Sequence, residues 1–142
     1  MSNFLPRRKI TTNELALIPE VLLNLLMARL KVSFLPSKKY LPFNRKNSPV
    51  FYLPKKFEAA EIIAGVVSGL SQRLPWKSTC LVKVLALHKM LSKRKISHTL
   101  HFGIEKNTSS GLSAHAWLSV AKKVIVGDED LQNFKEISQI LV

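Results

Sequence analysis

The spacing of apolar residues changes character partway along the chain, helical at first and strand-like later. Residues 15–30 are almost continuously apolar, broken by Pro19, Glu20, Asn24 and Arg29. Thr12 or Asn13 supplies a cap and Glu14 an acid for the first turn, which predicts a helix from there to about Val32. A second helix, 55–73, follows Pro54: Ile62, Ile63, Val66, Val67 and Leu70 form one stripe, and Pro75 ends it. Gly65 and Gly69 lie a turn apart there, which predicts close packing against a neighbour. Ser78 is placed to cap a third helix, 79–93, with Cys80, Val84, Leu87 and Leu91 on one face. Lys93-Arg94-Lys95 complements its negative C-terminal end.

Beyond Lys95 the period falls to two. Ile96 to Glu105 sets His98, Leu100, Phe102 and Ile104 on one side of a strand. Ser113 to Val120 sets His115, Trp117 and Ser119 on one face, and Ala114, Ala116, Leu118 and Val120 on the other. Ala121-Lys122 is a tight connection to a third strand, Lys123 to Val126, ending at Gly127-Asp128. Leu131, Phe134, Ile137 and Leu141 then predict a short C-terminal helix. Phe34 to Pro54, with Pro36, Pro42 and Pro49 among basic and aromatic residues, reads as an irregular connector pinned to the body. The expected architecture is α+β. A tail, helix and connector (1–54) pack on a core (55–142), in one globular domain with a small antiparallel sheet.

Composition changes this picture in two ways. A chain of 142 residues, 46% hydrophobic, suffices for a real core. The single cysteine excludes an internal disulfide, fits a reducing cytosol and leaves a free thiol. The net charge of +13 comes from short clusters such as Arg7-Arg8-Lys9, Lys55-Lys56 and Lys93-Arg94-Lys95, and favours anionic partners. No nucleic-acid-binding fingerprint accompanies it. The interrupted tract 15–30 reads as a packed helix, with membrane-surface or partner docking as the alternative.

The lone thiol can be given a base. Cys80 in the first turn of a helix meets backbone N–H groups and a dipole that favour a thiolate. The same N–H groups, Cys80's own among them, suit an oxyanion. His88, on the same helix, lies about 12 Å away by the helical rise. His98 reads as a packed histidine, and His101 faces the site or the surface. His115 sits between two alanines, and Trp117 on its face can shield the ring. Asp128, after the third strand, is placed to orient His115, with Asp130 as its competitor. A buried structural cysteine and a core histidine would show the same pattern taken singly. There is no CxxC, HExxH or phosphate loop, so no metal or cofactor is expected. Cysteine on a helix N-terminus, then histidine and aspartate on neighbouring strands, is a transglutaminase- or papain-like layout.

At these residues the chain resembles the leader peptidases of lasso-peptide biosynthesis, small transglutaminase-like cysteine proteases. The resemblance rests on Leu74-Pro75-Trp76-Lys77-Ser78-Thr79-Cys80-Leu81, on Phe102-Gly103-Ile104 and on Ala114-His115-Ala116-Trp117-Leu118. It implies a cytoplasmic thiol protease with Cys80 as nucleophile, His115 as base and acid, and Asp128 as orienting acid. It also implies three partners: a precursor with a leader, a leader-binding protein, and an ATP-dependent, asparagine-synthetase-like cyclase. Trp76, Trp117 and His101 are candidate substrate contacts, and Trp76 or Gln72 a candidate second oxyanion donor. Ser119 departs from the family's usual glutamate, and the hairpin at Ala121-Lys122-Lys123 lacks its usual glycine. Two other functions remain: a basic adaptor for an acidic peptide, nucleic acid or membrane surface, and a thiol amidase or transamidase.

Overall fold

Helix α1, Thr12–Phe34, is apolar on both sides and buries only one. Val21, Leu25 and Ala28 are buried, while Leu23, Met27, Leu30 and Phe34 stand exposed. The computed structural model describes residues 12–36, 54–75, 79–107, 111–128 and 131–141. The basic tail, most of the connector, Trp76, Ser78 and Asp130 lie outside the described residues. Among the described residues no helix is long and apolar enough to cross a membrane.

Helix α2, Pro54–Ser71, and helix α3, Cys80–Lys93, complete the helical layer. α2 buries Ala60, Ile63, Ala64 and Val67. An added Cβ at Gly65 or Gly69 meets nothing within 4 Å, so the close packing expected there is absent among the described residues. The cap of α3 is Thr79 rather than Ser78: its side chain accepts from Val82 N at 3.4 Å, which makes Cys80 the first helical residue. Arg94, just past the helix end, forms a two-pronged bond to Glu20 of α1, at 2.9 and 2.7 Å. The only acid inside the apolar tract of α1 therefore fastens it to α3. Arg94's hydrogen bonds, opposed by partial burial, hold the Glu20 carboxyl below its ordinary pKa.

Four antiparallel strands form one sheet in the order β3-β2-β1-β4. They are β1 Thr99–Asn107, β2 Gly111–Val120, β3 Lys123–Val126 and β4 Lys135–Leu141. The turn between β2 and β3 places Ala121 and Lys122 at φ of 51° and 66°, the mirror-image twist that suits a two-residue hairpin. β4 replaces the C-terminal helix expected over the same residues; only Leu131–Asn133 forms a single 3-10 turn. A lone helix this short is marginal in water, whereas the free edge of β1 offers hydrogen-bond partners along its length. Leu100, Ala116, Leu118, Val120 and Val126 join Val84, Leu87 and Leu91 of α3 in one core. The helices therefore cover one face of the sheet, and alternation turns His101, Gly103, His115, Trp117 and Ser119 to the other.

Candidate active site

Cys80 opens α3, half-buried against the core, with Thr79 capping the turn that carries it. Its backbone N–H belongs to the first turn, whose donors lack intrahelical partners. Among the described residues no hydrogen bond joins Cys80 to another side chain. Gln72, named as a candidate second donor, is exposed beyond the end of α2.

His115 lies on β2 opposite Gly103 of β1. Its Nε2 donates to the carbonyl of Gly127 at 2.8 Å, which assigns the proton to Nε2 and leaves Nδ1 as the basic nitrogen. Phe134 and Trp117 stack on the ring at 4.8 and 5.9 Å. Gly127 has φ +80°, and a Cβ there would fall 2.6 Å from the Ala116 carbonyl. This bend brings its carbonyl to the imidazole. Asp128, the next residue, is exposed, and no hydrogen bond ties its carboxylate to His115 among the described residues.

The remaining histidines divide sharply. His98 is fully buried: Nδ1 bonds the Ile96 carbonyl at 2.7 Å, and Nε2 meets His88 Nδ1 at 2.8 Å. His101 spans three strands on the outer face. Its Nδ1 bonds Glu136 of β4, its Nε2 meets Ser119 Oγ of β2 at 2.7 Å, and Trp117 stacks on it at 5.5 Å. Burial raises the Glu136 carboxyl, but hydrogen bonds from Gln139 and His101 and the imidazole charge outweigh it, leaving the pKa below its ordinary value. Gly103 makes room for the indole, since a Cβ there would meet its ring at 2.8 Å. Neither Glu136 nor the Gly127 carbonyl was legible as a histidine partner. The first lay in a segment read as helix, and a backbone acceptor leaves no mark in a residue pattern.

Cys80 thus opens a helix that covers one face of the sheet, while His101 and His115 lie on the other face, and no contact among the described residues joins the thiol to either imidazole. A family model described as the Transglutaminase-like superfamily matches residues 24–139, and the chain belongs to that superfamily. The fold is typical of cysteine peptidases and transglutaminases. No curated protein and no solved structure matches the chain.

Proposed function

We propose that the chain is a cytoplasmic cysteine protease that removes the leader from a ribosomally made lasso-peptide precursor. A leader-binding protein presents the substrate, and a separate ATP-dependent cyclase closes the macrolactam on the freed N-terminus. The observation that supports this reading is the placement of the chain's one cysteine as the first residue of α3, within a transglutaminase-like fold. The Ala114-His115-Ala116-Trp117 stretch on β2 adds the leader-peptidase likeness.

Cys80 Sγ, as thiolate, attacks the carbonyl at the leader–core junction. The Cys80 N–H steadies the oxyanion. His115 Nδ1 takes the thiol proton and gives it to the leaving amine as the thioester forms, then takes one from water and returns it to the Cys80 sulfur as the thioester is hydrolysed. Asp128, beside the Gly127 carbonyl, is the proposed third member. Because α3 covers the sheet face opposite the one that carries His115, this reading requires a rearrangement in the substrate complex that brings Cys80 Sγ and His115 Nδ1 together. A structure with substrate bound in which they stay apart overturns it.

The activity test incubates the purified chain with a synthetic lasso-peptide precursor, its leader attached, and a leader-binding protein. Mass spectrometry should show leader and core whose summed mass exceeds the precursor by one water, and Cys80→Ala should leave the precursor whole. Cleavage by Cys80→Ala overturns the thiol mechanism; a product joining two molecules makes the enzyme a transamidase.

A further inference from the structure

Between α1 and α3, away from the histidines of the outer sheet face, lies a groove of about 460 Å³. Its lining includes Ala28 and Lys31 of α1 and Leu85, Lys89, Ser92 and Lys93 of α3. Among the described residues no carboxylate lines it. The nearby acid, Glu20, is already taken by Arg94 and Lys93. Two further observations bear on an occupant. Ser92 Oγ is buried without a hydrogen-bond partner among the described residues, and an orphaned hydroxyl in a wall calls for one. Met27 also lines the groove and is 46% exposed, with Leu23 and Leu30 a turn away on either side, at 61% and 42%.

We infer that this groove binds an acidic amphipathic peptide segment. Ala28, Leu85 and Met27 take its apolar side chains, and Lys31, Lys89 and Lys93 meet its carboxylates. Charge complementarity of this kind sets register and encounter rate, and the apolar floor supplies the burial. A single-stranded nucleic acid fits the same cations less well, because no ring among the lining residues other than His88 offers a stacking platform. The site goes beyond the protease reading and does not depend on the thiol.

The test therefore uses the full chain carrying Cys80→Ala, so that nothing is cleaved. The probe is a fluorescent synthetic peptide with leucines at helical spacing and glutamates between them. Controls are its Glu→Gln twin, an oligouridine of equal charge and anionic vesicles. The acidic peptide should bind, and weaken as salt rises. Lys31→Glu with Lys89→Glu should weaken it at least about tenfold, since like charges then face each other. Lys31→Ala with Lys89→Ala, a gentler change, should do so less. Lys122→Glu, on the β2–β3 turn, should leave binding unchanged. Circular dichroism checks that each variant is folded. Three results overturn the proposal: equal binding of the Glu→Gln twin, indifference to the groove substitutions, or tighter groove-dependent binding of oligouridine or vesicles.

Discussion

Two pairs of rings in this molecule contain histidines held in opposite ways. His98, fully buried, has both nitrogens engaged, one by the Ile96 carbonyl and one by His88. An imidazole so saturated has no lone pair to offer a substrate. His115, stacked on Trp117 and half-buried on the outer sheet face, is anchored among the described residues through Nε2, by the Gly127 carbonyl, with no hydrogen bond to Nδ1 there. An anchored ring with a free basic nitrogen is what a general base needs. On the proposed reading, the number of engaged ring atoms separates the structural histidine from the chemical one better than burial does.

The strongest way to break this contrast is to remove the thiol that His115 is proposed to serve. Cys80→Ala should abolish leader removal with the thermal unfolding curve little changed; retained cleavage would falsify the thiol mechanism. His115→Ala should lower kcat by about 10³-fold or more. His98→Ala should instead cost about 2–3 kcal/mol of stability, through a lost buried network, with near-normal kcat in the folded fraction. If the two swap phenotypes, in kinetics paired with denaturant titration, the assignment is reversed.

Asp128→Asn sharpens the question of what holds the ring. With the Gly127 carbonyl still accepting from Nε2, the loss in kcat should be about tenfold, against about 10⁴ where an aspartate holds the ring alone. Gly127→Ala tests the other acceptor: a left-handed residue and a Cβ 2.6 Å from a carbonyl should cost about 2–3 kcal/mol. Its unfolding midpoint should fall even in a Cys80→Ala background.

The smallest effect concerns acid stability. The pKa values of Glu20 and Glu136 are lowered in the folded chain. Their stabilisation is therefore present above the unfolded carboxylate value, about 4.3, and lost as pH falls through the folded values. Glu20→Gln should flatten the decline in melting temperature on the acid side, by about 1 kcal/mol or less.

Much of this was legible in the chain. Period-two runs found β1 to β3, and the cap-then-Cys pattern put the thiol in the first turn of a helix, though Thr79 and not Ser78 does the capping. The superfamily match bears out the transglutaminase-like α+β fold expected from the chain. β4 was missed because Leu131, Phe134, Ile137 and Leu141 fit a helical spacing, and only the unpaired edge of β1, a tertiary fact, decides otherwise. Glu136 was missed with it. The Glu20–Arg94 pair spans 74 residues, and no local pattern predicts a partner so distant.

The β2–β3 turn carries a consequence for how the sheet is held together. Ala121 and Lys122 both adopt left-handed backbone with neither glycine nor asparagine to ease it, at a cost of about 1–2 kcal/mol each. The turn therefore opposes the hairpin that it closes. β3 has four residues, and only Val126 among them is buried. Besides its ladder to β2, it is held to the helix layer by Val126 in the core and by the exposed bond from Lys123 to Glu61 of α2 at 2.7 Å. Loosening α2 would thus strip support from this short edge strand, and from the backbone beyond it that fixes the imidazole.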